Sequence, residues 1–225
     1  AVSHDLRTPL ASARAAVEGL RATDVDWSPE DRAELLATAD ESLVKLDRLV
    51  ANLLDMSRLQ AGVLGVALEA TALEEIVPRA IDDLGEPSRR IEGDVSAGLP
   101  EIVADQVLLE RILVNLMSNA VRYSPEDMKV LVTASGHGDH VEIRVVDRGT
   151  GIPPEAYDRI FMPFQRLGDR DNHTGVGLGL ALSRGLAEAM GGTLLPEETP
   201  GGGLTMVLTL PVFPGPRAPL AEEGS

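Results

Sequence analysis

A chain of 225 residues with 44% hydrophobic content can hold one large domain or two small ones, and an aromatic share of 3% makes any core aliphatic. The formal net charge of −16 argues against nucleic acid or anionic membrane as a partner held by the general field. There is no cysteine, hence no disulfide and no thiol catalyst, and no apolar run of about 18 residues that would cross a membrane as a helix.

The chain opens inside a helical pattern without an initiator methionine and reads as a piece of a longer protein. Leu6, Leu10, Ala13, Val17 and Leu20 recur at alternating spacings of four and three, the seam of a coiled-coil type helix over residues 2–22. In "WSPEDRAELL" a second helix starts: Ser28 is suited to cap it, Pro29 to the first turn, and Glu30 and Asp31 to the positive end of the dipole. Its stripe runs through Leu36, Ala39, Leu43, Leu46, Val50 and Leu53 and stops near Gly62. Two such helices form a hairpin (residues 1–61) whose apolar stripes they cannot cover alone, and a dimeric four-helix bundle is the simplest remedy.

Residues 62–70 read as a linker, and the pattern then changes. "LEEIVPRAIDDL" is helical; "RRIEGDV" and "EIVA" are short strands; "DQVLLERILVNLMSNAVRYS" is an amphipathic helix. "KVLVTASG" and "HVEIRVVDRG" follow as strands, "GLGLALSRGLAEAMGG" as a helix with a glycine stop, and "GGGLTMVLTLPV" as a closing strand. Residues 71–213 are therefore an α+β domain, with a mostly antiparallel sheet covered on one face by helices. The Pro-, Gly- and charge-rich stretch 214–225 reads as a disordered tail.

Several stretches carry residues that packing alone does not call for. In "SHDLRTPL", His4 lies off the seam, Thr8 follows it by one turn at roughly 6 Å, and Asp5 is beside it. Pro9 should free the Asp5 carbonyl and loosen or bend the helix. An exposed imidazole is largely neutral at pH 7 and nucleophilic, and a carboxylate can hold one of its nitrogens; the same residues also suit an ordinary helix surface. Asn115 and Asn119 share a helix face, where amide oxygens can ligate Mg²⁺ once phosphates and water complete the shell, and Arg122 follows within reach of phosphate oxygens. "DRGTGI" (Asp147–Ile152) delivers a carboxylate at a strand end and then turns on Gly149 and Gly151; such a carboxylate needs a donor, and an adenine amino group would serve, although a plain turn has the same spelling. "HTGVGLGL" places Gly175, Gly177 and Gly179 at a helix start, where bare amides bind phosphate. It lacks the G-K-[ST] of a Walker loop and has the wrong spacing for a Rossmann fingerprint.

Taken in order, these motifs resemble those of the sensor histidine kinases of two-component systems. "SHDLRTPL" resembles their H box, "NLMSNAVRYS" the N box, "DRGTGI" the G1 box, "IFMPFQRL" the F box and "GVGLGL" the G2 box, and the resemblance covers residues 1–213. "NLLDMSRLQAG" and "PFQRLGDRDNHTGVGLGLALSRGL" further resemble the KdpD-type, potassium-responsive subgroup. The resemblance implies a dimeric four-helix bundle followed by an ATP-binding α+β sandwich of the Bergerat (GHKL) type. It implies His4 as phosphoacceptor, Asp5 polarising its ring, and Thr8 orienting a water that dephosphorylates the partner. It implies ATP and Mg²⁺ as cofactors, with Asn119 as metal ligand and Asn115 assisting, and Arg122 and Tyr123 lining the nucleotide. Asp147 would accept from adenine, with Gly149, Gly151 and Ile152 shaping that pocket. Phe161 and Phe164 would anchor a lid over residues 165–174, and Thr174, Gly175, Val176, Gly177, Leu178 and Gly179 would approach the phosphates. Arg122 departs from the family pattern, where lysine is common, and keeps the charge without its point geometry.

The resemblance also implies a partner: a response regulator with a receiver domain, outside this chain, since neither Lys45 nor Lys129 stands in an acidic cluster of the receiver kind. It places the chain in the cytoplasmic portion of a membrane-anchored bacterial sensor. Two other readings stand beside it. One is a GHKL-type ATP-binding regulatory protein or serine kinase without histidine phosphorylation, against which the H box on a dimerising hairpin argues. The other is a coiled-coil adaptor, against which the paired glycine motifs argue.

Overall fold

The computed structural model describes residues 2–22, 25–164 and 177–214, the side chains of residues 2 and 5 excepted. The chain divides into two compact units, Ala1–Leu64 with Asp158–Leu182, and Gly65–Tyr157 with Ser183–Ser225.

The first unit is built on a hairpin of α1 (Val2–Arg21) and α2 (Pro29–Gln60). Ser28 caps α2 as its sequence predicts: its Oγ accepts from Asp31 N at 3.0 Å, while the Asp31 carboxylate accepts from Ser28 N at 3.2 Å, with Pro29 in the first turn. At the loop end of the hairpin Trp27 ties back to α1, its indole Nε1 donating to Gly19 O at 2.8 Å.

The packed seam keeps Leu6, Ala13, Leu20, Ala39, Leu46 and Leu53 of the expected one and departs from it elsewhere. Pro9, Ala13 and Ala16 of α1 and Ala39 and Leu49 of α2 are buried, with Leu6, Leu20, Leu46 and Leu53 half-buried. Leu10 is 53% exposed, Val17 45%, and Leu36, Leu43 and Val50 also face outward. Each helix carries two adjacent apolar stripes. The stripe with small residues lets the two backbones approach, which leaves the Leu/Val stripe, repeating every seventh residue, on the outside. The helix is unbroken at Pro9, because the ring is taken up in the packed face rather than ending the helix.

The second unit begins with β1 (Glu69–Thr71), α3 (Leu73–Asp82), β2 (Ile91–Val95), β3 (Ile102–Ala104) and α4 (Gln106–Tyr123). There follow β4 (Val130–His137), β5 (His140–Val146), α5 (Gly179–Ala189, which belongs to this unit from Ser183 on), β6 (Thr193–Glu198) and β7 (Leu204–Pro211). The main sheet has the order β2-β4-β5-β7-β6; β2 and β4 are parallel and the other pairs antiparallel. One face of it is an aliphatic ladder, with Val132 opposite Val145, Val145 opposite Met206, Ile143 opposite Leu208 and Leu208 opposite Leu194. Helix α4 packs on β4 and β5, and α3 on α4 and β2. Leu109, Ile112, Leu113, Leu116 and Met117 of α4 are fully buried. The opposite face is polar: Arg144 bridges Glu142 and Glu197, and the hydrogen bond it donates to Glu197 foremost raises its pKa.

Two strands were not expected. Strand β6 contains Pro196 and two glutamates, an unpromising spelling, yet pairs along its length with β7. Strand β1 starts inside the stretch read as linker and pairs with β3. Asp105 reinforces that edge: its Oδ1 caps α4 through Val107 N and Leu108 N, both at 3.1 Å, and its Oδ2 accepts from Ala67 N at 2.9 Å.

Candidate functional site

In the second unit, the end of α4 and the turn after β5 come together. Asp147 is 7% exposed. Its Oδ1 accepts from Gly149 N and Leu204 N, both at 2.9 Å, and its own N donates to Leu204 O at 2.9 Å. One carboxylate oxygen is thus saturated by backbone, and no described residue donates to Oδ2. Such a carboxylate is fixed in orientation and retains one acceptor for an incoming N–H.

The glycines are required by close approach. A Cβ on Gly149 would stand 2.5 Å from Tyr123 O, the carbonyl at the end of α4. Gly151 has φ +67° and a Cβ there would lie 3.0 Å from Gly203 O; Gly203 has φ +113° and a Cβ on it would run into Asp147 O. The turn at residues 201–203 therefore nests under the Asp147–Gly151 turn. Arg148 pins the two together, its Nη1 donating to Pro200 O at 2.8 Å and its N to Ser124 Oγ at 3.1 Å. Ile152 is half-buried at the end of this turn.

Asn115 and Asn119 sit one turn apart on α4, both half-buried beside the apolar stripe. Asn115 Nδ2 donates to the buried Ser183 Oγ at 2.8 Å, which turns its amide oxygen away from Ser183. Arg122 and Tyr123 are exposed, with the guanidinium 5.4 Å from the phenol ring centroid. Four participants escaped the sequence reading: Ser124, Ser183, the Leu204 amide and Gly203. Only Gly203 left a visible mark, in the run "GGG"; the serines reach partners 24 and 68 residues away.

In the first unit, His4 and Thr8 are exposed on one side of α1, and Thr8 Oγ1 donates to His4 O at 3.1 Å. Phe161 is buried; Phe164 is 40% exposed with φ +66°, and its N donates to Gly177 O at 3.0 Å. That bond closes the ends of residues 164–177 on each other. Gly177 has φ +69° and opens the run into α5 at Gly179. Leu178 is buried with Leu49, against Leu6 and Leu53, so its side chain serves packing and only its backbone is available to a ligand. The Asp5 side chain, Thr174, Gly175, Val176 and the rest of residues 165–176 lie outside the described residues.

Comparison with known proteins gives the following. Residues 1–62 match the His Kinase A (phospho-acceptor) domain, and residues 104–214 match the family described as histidine kinase-, DNA gyrase B-, and HSP90-like ATPase. Sensor protein KdpD of Mycobacterium tuberculosis (strain ATCC 25618 / H37Rv) is 51% identical over 218 residues, covering 93% of this chain and 25% of that protein. Sensor protein KdpD of Escherichia coli (strain K12) is 36% identical over 215 residues, covering 94% of this chain and 24% of that protein. The chain thus spans about a quarter of the length of these relatives. Among solved structures, full-length ShkA in complex with AMPPNP superposes with a TM-score of 0.69 at 29% identity, over 94% of this chain and 45% of that one. The Acinetobacter baumannii histidine kinase AdeS gives a TM-score of 0.71 at 21% identity, over 93% of this chain and 98% of that one, a likeness of fold.

Proposed function

The chain belongs to the sensor histidine kinases, and from that membership we propose that it is the catalytic core of a KdpD-type sensor, moving the γ-phosphoryl group of ATP to a ring nitrogen of His4 and from there to an aspartate of a response regulator's receiver domain. The observation that carries this reading is the Asp147 carboxylate, held by two backbone amides at a glycine turn with one oxygen left to accept the adenine amino group. The close approach of Gly149 to Tyr123 O shapes the floor of that pocket.

In this reading residues 1–61 are the phosphoacceptor hairpin, 62–70 the linker and 71–213 the ATP-binding domain. Asn119, with Asn115 oriented by Ser183, would hold Mg²⁺, which neutralises phosphate charge when bound. Arg122 and Tyr123 flank the nucleotide. Phe161 and Phe164 would anchor a lid, and the amides of Gly175, Gly177 and Gly179 would meet phosphate oxygens. The His4 ring attacks the γ-phosphorus as the bond to the ADP oxygen breaks; Asp5 takes up the charge and proton of the other ring nitrogen. Catalysis is then chiefly positioning and charge neutralisation. Thr8 orients the water that later removes the phosphoryl group from the receiver aspartate. The outward stripe of Leu10, Val17, Leu36, Leu43 and Val50 supplies the homodimer seam. Dependence on ATP places this portion on the cytoplasmic side of the sensor; no helix among the described residues is long and apolar enough to cross a membrane.

The test is incubation with Mg²⁺ and γ-labelled ATP, wild type beside His4→Ala. Acid-labile, base-stable label on wild type alone, with ATP binding equal in both, is the expected result. Acid-stable label that persists in His4→Ala would overturn it in favour of the serine-kinase alternative.

A further inference from the structure

The last carbonyls of a helix have no partner within the helix. At the end of α4 one of them, Val121 O, and three carbonyls that follow the helix are taken by Arg90, the residue immediately before β2. Its Nη1 donates to Val121 O at 3.0 Å, and its Nη2 faces the carbonyls of Ser124 at 3.1 Å, Pro125 at 2.5 Å and Met128 at 3.3 Å. The guanidinium stays there although its Nε is buried without a partner among the described residues. Its charge also meets the negative end of the α4 dipole.

These carbonyls border the nucleotide turn. Tyr123 O lies between the two that bracket it and stands against Gly149. Ser124, held by its carbonyl, uses its buried Oγ to accept from Arg148 N at 3.1 Å. Arg148 separates Asp147 from Gly149, and Gly149 N is one of the two amides that orient the Asp147 carboxylate. A continuous set of contacts therefore runs from Arg90 through Ser124 to the adenine acceptor.

We infer that Arg90 is a positioning residue for nucleotide recognition: by clamping the end of α4 it sets where the Asp147–Gly149 turn sits, and so how well Asp147 tells adenine from guanine. This rests on the reading of Asp147 as the acceptor of the adenine amino group, a position where guanine presents a carbonyl instead.

The experiment is titration of the whole chain with Mg-ATP and with Mg-GTP, alongside thermal melting, for wild type, Arg90→Gln, Arg90→Lys and Ser124→Ala. Arg90→Gln should bind ATP about tenfold more weakly and GTP little differently, so that the ATP/GTP preference narrows. Arg90→Lys, which keeps charge and donors without the planar fork, should recover part of the preference. Ser124→Ala should shift it in the same direction, and the double variant should lose less than the two singles combined. A lowered melting temperature with an unchanged ATP/GTP ratio means that Arg90 only stabilises the fold, and overturns the inference. Should Arg90→Gln not fold, unchanged ratios in both Arg90→Lys and Ser124→Ala overturn it equally. A wild type that binds neither nucleotide, or both alike, overturns the reading of Asp147 and this inference with it.

Discussion

The turn at Asp147 and the patch at His4 are built in opposite ways. Asp147 is nearly buried, receives two amides on one oxygen and lies in a nest of glycines too tight for any Cβ. His4 stands exposed on a helix whose local fold would form with many other residues in its place. Recognition of a planar base requires an acceptor that is already fixed, since every degree of freedom left in it weakens discrimination. A phosphoryl carrier has the reverse need: it must be reached by the nucleotide and then by a second protein. The same substitution logic should therefore give opposite outcomes in the two places.

Gly149→Ala should break the first region most severely. The new methyl would meet backbone, which yields less than a side chain, so a loss of ~3 kcal/mol in urea unfolding and no measurable ATP binding are expected. His4→Ala should leave unfolding within ~0.5 kcal/mol and ATP binding intact, while label uptake falls to background. If Gly149→Ala were tolerated, the turn would be adaptable and the contrast would fail.

Asp147→Asn is the sharper probe, because it keeps shape and removes charge. Two charge-assisted bonds become neutral, which should cost about 2 kcal/mol of stability. The amide also presents one N–H₂ and one oxygen to a site that wants two acceptors. ATP affinity should fall more than tenfold, read by calorimetry beside the urea midpoint. Retained affinity would mean that the adenine amino group finds its acceptor elsewhere.

Much of this was legible beforehand, for reasons that differ by element. The Ser28 cap, the Asp105-led α4 and the strand before Asp147 are local patterns, and local patterns are what periodicity and capping rules read. The packed side of the hairpin was only partly so: Ala13 and Ala39 lie on the expected stripe and are buried, but Leu10, Val17 and Leu36 of the same stripe face outward while Ala16 packs, a choice that only the approach of two backbones decides. Strand β6 was hidden by Pro196 and by Leu195, which is half exposed on the outer face. The buttress of the Asp147 turn was hidden by distance along the chain: nothing at Ser183 announces Asn115, and nothing at Ser124 announces Arg148.

Ser183→Ala tests one of those long links and should have an intermediate effect. It removes a buried bond to Asn115 at a cost of about 1 kcal/mol and frees the amide to rotate. On the proposal that Asn115 assists at the metal, the KM for Mg-ATP should rise severalfold while binding of ADP without Mg²⁺ stays near wild type. Equal losses with and without Mg²⁺ would place Asn115 on the base or ribose side instead.

Thr8→Ala should have the smallest structural effect and the most selective functional one. The Thr8 hydroxyl spends its hydrogen on the His4 carbonyl, a back-bond that slightly weakens a helix, and alanine has the higher helix propensity by about 0.5 kcal/mol. Melting should be unchanged or a little higher. The His4 ring loses nothing it needs to attack phosphorus, so autophosphorylation should proceed at the wild-type rate. Hydrolysis of a phosphorylated receiver partner, for which Thr8 is proposed to hold the water, should slow by about tenfold if the hydroxyl does so with one ordinary hydrogen bond. Equal slowing of both half-reactions would show that Thr8 acts through the backbone bond at His4 and shapes the helix rather than the water, and the exposed patch would then be less independent of its scaffold than its geometry suggests.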